Sequence, residues 1–406
     1  MSAKQNIVII GSGGGGLVLV QTLQKQINPE THQLGECVVV EKRDYYAHWP
    51  GLVRGSVTSQ GSVHEDSLIP LDRAFNPSVR LVHSATKQIT PTEVITESGE
   101  RISYSHLVLA TGSLWNSALA LPDSRQQALE HFKAFRKQLE AAKDILIVGG
   151  GAVGIEYAGE LVHYYPNAKV TIVHSLPELT NDTYPAKFRK SLLDGLTQRG
   201  VRVILGDKVP AQGSPKDGHV TTEKGVRLQA DLVINATGGR PNTSVVSTLD
   251  KSVLTPKGTV LVTPELNVKL ASGAQNVWAI GDIIEWPEQK MVFKASTGHA
   301  PLVAGNILAS IKGSKPKSYQ GKPEMILITL GPSGGRANIP FLGGIVMGDW
   351  MAAKAKSADL FISASRAVLG YGPEKTGSAA GTVLLGAAFL AVPIAYAFYL
   401  NGLLNV

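Results

Sequence analysis

Cysteine is almost absent from this chain. Cys37 is the only one among 406 residues, and it lies in the apolar stretch 36–40. A single thiol excludes an internal disulfide and a CxxC redox pair, and in a buried strand it usually serves packing. Enzymes that need paired redox thiols, such as disulfide reductases and sulfide:quinone oxidoreductases, are therefore excluded.

Long runs of basic residues are also missing. No run of Lys and Arg exceeds the pair Lys42-Arg43, and neither zinc-finger spacing nor an aromatic-basic RNA motif is present. The formal net charge of +7 is dispersed, so we predict no specific nucleic-acid recognition, while non-specific binding stays open. An apolar strand that has begun by Ile7 leaves no room for a signal or transit peptide, so we expect the body in the cytosol.

Glycine, by contrast, is abundant, with 43 residues, and a glycine-rich loop between an apolar strand and a helix occurs twice in the chain. The apolar stretch 6–10, the glycine loop 11–16 and the apolar stretch 17–23 predict strand, turn and helix. A second copy runs through 145–148, 149–154 and 155–163, and its loop starts 149 − 11 = 138 residues after the first. This repeat predicts an α/β protein with two Rossmann-like dinucleotide-binding domains of the glutathione-reductase-like type.

Each loop has the spacing Gly-x-Gly-x-x-Gly. The first glycine makes the turn, the second lets the backbone approach a pyrophosphate, and the third lets the helix pack on the strand. The residues are Gly11, Gly13 and Gly16 in the first loop and Gly149, Gly151 and Gly154 in the second. One such motif is weak evidence, but two between a predicted strand and helix indicate two dinucleotides.

Each of the two copies has a second strand after its helix, and the residues at the end of that strand distinguish the two sites. Glu41 can hold both ribose hydroxyls of an adenosine, which favours FAD at the first site, although a solvated strand-end charge needs no function. The matching strand at the second site ends in His174-Ser175 without a carboxylate. Because that pocket does not repel a 2′-phosphate and His174 could support one, either NADH or NADPH fits there. An exposed His174 without a role stays an alternative.

Further polar residues stand at predicted strand ends. Apolar strands stop at Gly112, at Gly238 and at Gly281-Asp282, where a doubly wound sheet opens its ligand crevice. Asp282 could accept hydrogen bonds from a flavin ribityl chain or simply cap a helix. Glu156 lies in the first turn of the helix in the second copy. The helix dipole alone would explain a carboxylate there, and a position beside the nicotinamide is the alternative.

The C-terminal end differs from the rest. Residues 376–406 carry no charge, and 382–400 form a 19-residue apolar run, about 28 Å long as a helix. We predict a membrane anchor, and a buried core helix is the alternative. Because Pro393 would kink the helix, a monotopic hairpin or a dimer contact also stays open. Lys375 and Arg366 on its near side agree with a cytosolic body.

These patterns predict four regions. Residues 1–118 and 246–315 would form a discontinuous FAD-binding domain and 119–245 an NAD(P)-binding domain. Residues 316–375 would form a membrane-proximal C-terminal region, and 376–406 the anchor. The membrane of the endoplasmic reticulum, of a lipid droplet or of the outer mitochondrial surface would suit such a protein, and a homodimer is left open.

Five blocks resemble the ferroptosis-suppressor branch of the apoptosis-inducing-factor family, which consists of FAD-dependent pyridine nucleotide oxidoreductases: residues 105–113, 149–156, 169–175, 276–282 and 359–363. The resemblance implies an NAD(P)H:quinone oxidoreductase that reduces ubiquinone or a related lipid quinone. It implies FAD contacts by Gly11, Gly13, Gly16, Glu41, Arg54, Thr111 and Asp282, and nicotinamide-cofactor contacts by Gly149, Gly151, Gly154 and His174. Glu156 matches the family's functionally critical glutamate, and His299 matches a position close to the flavin ring.

The chain also departs from that family. It begins Met1-Ser2 and lacks the acceptor glycine for myristoylation, so the hydrophobic tail would replace the lipid. The family's C-terminal Ser-Trp-Lys lysine aligns with Arg366-Ala367. The stretch 294–299 differs from the quinone motif of type II NADH dehydrogenases, which places the chain nearer the ferroptosis-suppressor branch.

Without paired thiols, electrons must pass directly from the flavin to a diffusible acceptor. We expect ping-pong transfer from NAD(P)H through FAD to a quinone, with Glu156, His299 and Lys294 as candidates for a proton relay. Two alternatives stay open. One is a slowly turning redox-sensing or death-signalling flavoprotein that binds NAD(P)H as a ligand, and the other is a reductase of ferredoxin or rubredoxin.

Overall fold

The computed structural model describes residues 5–26, 34–210, 215, 217–340 and 344–372. Its strands are β1 (Gln5–Ile10), β2 (Leu34–Glu41), β3 (Tyr45–Ala47), β4 (Leu68–Pro70), β5 (Val79–His83), β6 (Thr86–Ile89), β7 (Glu93–Thr96), β8 (Arg101–Ser103), β9 (His106–Leu109), β10 (Ser113–Leu114), β11 (Asp144–Val148), β12 (Lys169–His174), β13 (Arg202–Leu205), β14 (His219–Thr221), β15 (Arg227–Gln229), β16 (Leu232–Asn235), β17 (Arg240–Pro241), β18 (Val260–Leu261), β19 (Val277–Ala279), β20 (Ile284–Glu285), β21 (Ile326–Thr329), β22 (Gly335–Ile339) and β23 (Ile345–Met347).

The helices are α1 (Gly14–Gln26), α2 (Trp49–Val57), α3 (Val63–Asp66), α4 (Arg125–Ala141), α5 (Ala152–Tyr164), α6 (Ala186–Thr197), α7 (Val292–Lys294), α8 (Ala300–Ile311), α9 (Asp349–Ala352) and α10 (Ile362–Val368). Two π-helical turns interrupt helical segments. Ala295–His299 joins α7 to α8, and Ala353–Ser357 follows α9. Such turns are frequently found at functional sites.

The first sheet holds five parallel strands in the order β19-β9-β1-β2-β5. Four of them come from the first 118 residues, whereas β19 returns from much later in the chain. Its inner strands are buried on both faces, as is usual for parallel sheets, whereas the edge strand β5 is only partly buried. Cys37 is one of the core residues, at 3% exposure. All carboxyl ends of these strands meet at one edge.

The second sheet repeats this plan with four parallel strands in the order β13-β12-β11-β16. In both sheets the strand before the glycine loop is central, and the helix after the loop packs against it. The predicted α/β class with two Rossmann-like units is confirmed. The limits of the four predicted domains stay a prediction.

The antiparallel sheet β21-β22-β23 packs against the second unit. Ile328 and Leu330 belong to the same apolar core as α5 and α6. Gly159 on α5 permits this contact, since a Cβ there would lie 2.5 Å from the Cα atom of Leu330. This packing brings residues from the C-terminal part of the chain beside the helix of the second glycine loop.

No helix within the described ranges has the length and apolarity needed to cross a membrane. The predicted anchor, residues 376–406, lies outside the residues that the structure describes. The anchor therefore stays a prediction.

His48 ties the start of α2 to the C-terminal part of the chain. Its Nε2–H donates to the Leu360 carbonyl oxygen at 2.7 Å, and the side chain is buried. Burial, with a smaller contribution from the Lys356 charge, lowers the pKa of His48 to about 4 despite the opposing effect of the hydrogen bond. The native protein thus keeps this imidazole neutral under conditions that protonate it in the unfolded chain.

We predict that His48 makes the protein less stable in mild acid. Because its pKa is lower in the folded state, the native state binds fewer protons, and stability falls as the pH drops below the unfolded value of about 6.5 and down to the folded value. Between pH 7 and pH 5 this group should cost about 2 kcal/mol. His48→Gln keeps a donor for Leu360 and cannot titrate, so urea unfolding should show a smaller loss for the variant; equal losses would refute this assignment.

Candidate functional site

The first glycine loop has the close approach that a dinucleotide turn requires. Gly11 has φ +98°, and a Cβ on Gly16 would lie 2.0 Å from the Gly11 carbonyl oxygen. A Cβ on Gly13 would meet no protein atom within 4 Å. The backbone is thus open at the second glycine, in front of the amino end of α1, where free N–H groups favour a phosphate.

Glu41 stands beside this loop at the end of β2. Its Oε2 accepts hydrogen bonds from the Ser12 backbone N–H at 2.8 Å and from the Ser12 hydroxyl at 3.1 Å, and its Oε1 accepts from the Arg43 N–H at 3.0 Å. The carboxylate is therefore fixed next to the glycine turn. This position fits the predicted contact with an adenosine ribose, and the contact itself stays a prediction.

Three further predicted residues meet at the same edge of the first sheet. Asp282 follows β19 and accepts a hydrogen bond from the Ser113 hydroxyl at 2.7 Å. Thr111 and Gly112 follow β9, where the Thr111 hydroxyl donates to the Asn242 carbonyl and the Gly112 carbonyl accepts from the Asn242 N–H at 2.9 Å. The donor set and the glycine cradle together fit FAD.

The second glycine loop repeats the geometry of the first. Gly149 has φ +113°, a Cβ on Gly154 would lie 1.9 Å from the Gly149 carbonyl oxygen, and a Cβ on Gly151 would meet no protein atom within 4 Å. Gly238, which follows β16, also has a positive φ, +99°, and a Cβ there would likewise meet nothing within 4 Å. The loop fits a second dinucleotide.

His174 is buried under the second loop, so the alternative of an exposed residue is wrong. Its Nδ1 accepts the Gly150 N–H at 3.0 Å, and its Nε2 lies 3.2 Å from the Thr180 carbonyl oxygen, to which it donates. Burial lowers the pKa of His174. The neutral ring therefore supports the loop from inside, and a contact between His174 and a 2′-phosphate stays a prediction.

Glu156 is buried in α5 and forms an ion pair that the sequence did not predict. Its Oε1 lies 2.7 Å from the Lys356 Nζ and 3.3 Å from the Thr329 backbone nitrogen. Lys356 belongs to the π-helical turn Ala353–Ser357 and also donates to the Leu327 carbonyl at 3.0 Å. Because the partners are 200 positions apart, no local pattern could reveal the pair.

Arg54 also differs from the expectation. Its Nε and Nη2 donate to the two carboxylate oxygens of Glu160 at 3.0 and 2.9 Å, and both side chains are buried, with 3% and 1% exposure. Burial raises the pKa of Glu160, and this bidentate pair opposes the shift. The contacts with Glu160 thus join α2 to α5, and Arg54 Nη1 also donates to the Ala358 carbonyl oxygen at 3.4 Å. The predicted contact of Arg54 with FAD stays a prediction.

Lys294 and His299 lie in one buried network, which continues through residues that sequence reasoning missed. Lys294 Nζ is 2.5 Å from Glu324 Oε1 and 3.7 Å from Glu288 Oε2, while His299 Nε2 is 2.9 Å from Glu288 Oε1. Burial alone would raise the pKa of Glu288, but the His299 hydrogen bond and the nearby Lys294 ammonium hold it below its usual value.

The three residues predicted as a proton relay therefore do not form one chain of contacts. Glu156 pairs with Lys356, whereas Lys294 and His299 share Glu288. No described side-chain contact joins the two groups, and the role of the three residues in a proton relay stays a prediction.

The comparisons with known proteins agree with this geometry. A family model described as pyridine nucleotide-disulphide oxidoreductase matches residues 5–298. The FAD-dependent oxidoreductase FVFD30 of Flammulina velutipes is 36% identical over 320 residues, which cover 77% of this chain and 98% of the relative. Ferroptosis suppressor protein 1 of Taeniopygia guttata is 29% identical over 383 residues, or 91% of this chain and 97% of the relative, and confirms the predicted resemblance.

A solved structure shows the same fold. The sulfide:quinone oxidoreductase from Aquifex aeolicus matches with a TM-score of 0.74 at 18% sequence identity, and the match covers 91% of this chain and 93% of that chain. At this identity the likeness shows the architecture alone.

Substitutions at the third glycines should separate the two sites. Gly16→Ala places a Cβ 2.0 Å from a carbonyl oxygen, so we expect the purified variant to lose at least about tenfold in FAD affinity. Gly154→Ala should instead keep FAD and lose reduction by NADH to a similar degree. Absorbance of bound flavin and stopped-flow reduction measure the two effects.

Gly305→Ala is the matched control for both, because a Cβ at this exposed position in α8 would meet nothing within 4 Å. It should keep both properties. Loss of FAD from the Gly154 variant, with NADH reduction intact in the Gly16 variant, would reverse the assignment of the two loops.

Replacing Arg54 should test whether its ion pair is structural. Arg54→Met leaves Glu160 buried without a cation and should cost about 3–5 kcal/mol of unfolding free energy, measured with urea. The double variant Arg54→Met/Glu160→Leu should recover most of this loss and retain FAD. A stable double variant without FAD would show that Arg54 itself contacts the cofactor.

Proposed function

The chain belongs to the pyridine nucleotide-disulphide oxidoreductase family, and we propose that it passes electrons from NAD(P)H through FAD to a lipid quinone such as ubiquinone. Its family and its relatives make it an NAD(P)H-dependent flavin oxidoreductase with FAD and NAD(P)H as cofactors. The proposal further includes that the acceptor is a quinone, that the chain is anchored in a membrane, and that its catalytic body lies in the cytosol.

The observation that supports direct transfer of electrons from the flavin to the acceptor is the single cysteine. Cys37 is buried in β2, and burial raises the pKa of its thiol to about 12. A thiol with such a pKa is neither a nucleophile nor a rapid redox group at neutral pH. With no second thiol in the sequence, electrons that reach the flavin must leave it directly for the acceptor.

The chain's own residues bind and orient the cofactors. The loop of Gly11, Gly13 and Gly16 with Glu41 would hold FAD, and the loop at residues 149–154 would hold the nicotinamide dinucleotide. When bound, FAD accepts two electrons from the nicotinamide and delivers them to the acceptor. We propose that NADH and NADPH both serve, because β12 ends without a carboxylate that would repel a 2′-phosphate.

A cavity near the end of the described chain supports an acceptor that comes from a membrane. It has a volume of about 460 Å³, and its lining is mixed, with the charged side chains of Arg54, Asp66, Asp359 and Arg366 beside Val63, Ile362, Ser363 and Tyr371. Gly372, the last described residue, also lines it, and the uncharged sequence 376–406 begins four residues later. A tail anchored in a bilayer would hold this cavity at the surface, where an isoprenoid quinone is dissolved. We propose the cavity as the entry for that quinone.

The proposal can be tested on the purified yellow protein under anaerobic conditions. After reduction with NADH or NADPH, addition of a short-chain ubiquinone should restore the oxidised flavin spectrum faster than addition of oxygen does. Failure of the quinone to do so would contradict the proposal. A stable reduced complex with bound NAD⁺ would then favour the redox-sensing alternative.

A matched pair at the cavity rim sharpens this experiment. Ser363 is exposed and lines the cavity. Ser363→Trp should slow reoxidation by quinone, because the indole would obstruct the entry, without slowing reduction by NADH. Ser363→Ala should leave both steps unchanged, and equal quinone rates for the two variants would remove the cavity from the proposal.

A further inference from the structure

Glu288 is a buried carboxylate that the catalytic proposal does not use. Its side chain is 6% exposed. Its Oε1 lies 2.9 Å from His299 Nε2, the Tyr319 hydroxyl donates to the carboxylate at 3.1 Å, and the Lys294 ammonium is 3.7 Å away. An unpaired carboxylate in this buried position would cost several kcal/mol. These three partners therefore stabilise the charge of Glu288 at this position.

His299 links this carboxylate to the FAD side of the molecule. Its Nδ1 accepts the Gly281 backbone N–H at 3.1 Å, so Nδ1 carries no proton and Nε2 does. Gly281 has φ +79° and starts the turn that carries Asp282, whose carboxylate accepts from Ser113. The imidazole thus anchors the turn that presents a predicted FAD ligand.

The same arrangement occurs at the other dinucleotide site. There His174 accepts the Gly150 N–H with Nδ1, and its Nε2 donates to the Thr180 carbonyl. In both places a buried imidazole accepts a glycine N–H, and a second acceptor holds the proton on Nε2. At the FAD site that second acceptor is the side chain of Glu288.

We infer that Glu288 is a positioning residue of the FAD site, which keeps His299 in the tautomer that holds the Gly281-Asp282 turn. An ionised carboxylate can only accept, so it requires a proton on Nε2 and leaves Nδ1 free for the Gly281 N–H. A carboxylate that orients a functional imidazole in this way is a common device around metal and catalytic histidines. The inference concerns FAD binding and holds whichever acceptor takes the electrons.

The surrounding charges allow a clean substitution. Lys294 has Glu324 as its nearer partner at 2.5 Å, so it keeps a counter-charge when Glu288 is neutralised. Tyr319 packs edge-on against the His299 ring at 4.7 Å between centroids and would continue to support it. Glu288→Leu also removes the acceptor of the Tyr319 hydroxyl, so only the part of its effect that vanishes when His299 is replaced passes through the imidazole.

The test compares FAD release from three holoproteins, followed by the rise in flavin fluorescence after dilution. Glu288→Leu removes the acceptor and should speed release about tenfold, which corresponds to one lost hydrogen bond to a charged group. Glu288→Gln retains an amide oxygen that accepts from Nε2 and should release FAD within about twofold of the wild-type rate. Wild-type release from the leucine variant, or equally fast release from both variants, would overturn the inference.

A second background distinguishes positioning from general packing. In His299→Asn, the side-chain Oδ1 can accept the Gly281 N–H in place of Nδ1 and needs no tautomer to be selected. Adding Glu288→Leu to this variant should change the FAD release rate less than twofold. If Glu288→Leu still speeds release about tenfold there, the effect does not pass through His299 and the inference is wrong.

Discussion

The close contact between the third glycine of each loop and the carbonyl of the first is the constraint on which both cofactor sites depend. A Cβ at Gly16 or Gly154 would lie 2.0 or 1.9 Å from that oxygen, so only glycine lets the helix start where it does. With the helix in place, its free N–H groups and the open second glycine face the same point. Two copies of this constraint give the chain two dinucleotide sites in one molecule.

The C-terminal part of the chain completes these sites through buried charges. Lys356 reaches Glu156 on the helix of the second loop, and the Leu360 carbonyl receives the His48 hydrogen bond at the start of α2. Glu324 pairs with Lys294, beside the His299 that holds the Gly281 turn. Breaking such pairs is costly because it leaves a buried charge uncompensated. Residues 324–340 and 344–372 are therefore bound to both dinucleotide-binding units through charged and polar side chains.

Local sequence patterns predicted the fold well but did not predict which buried charged side chains pair with each other. The reason is physical. Strands β1, β2, β11 and β12 and helices α1 and α5 follow from apolar periodicity and glycine spacing, which are properties of neighbouring residues. The partners of Glu156 and Arg54 come from positions that only tertiary packing brings near. The same holds for Glu288, since nothing in residues 284–290 distinguishes a buried carboxylate from a solvated one. His174 was recognised by its position, but its burial depends on how residues 175–180 fold back over the ring.

The central claim is that the flavin is the only redox group and that it hands electrons directly to the acceptor. The buried, weakly acidic Cys37 supports this claim. Anaerobic titration of the holoprotein with NADH, followed by flavin absorbance, tests it most directly. One equivalent of NADH per FAD should reduce the protein completely, because the flavin takes two electrons. Uptake of two equivalents per FAD would reveal a second two-electron group and contradict the account.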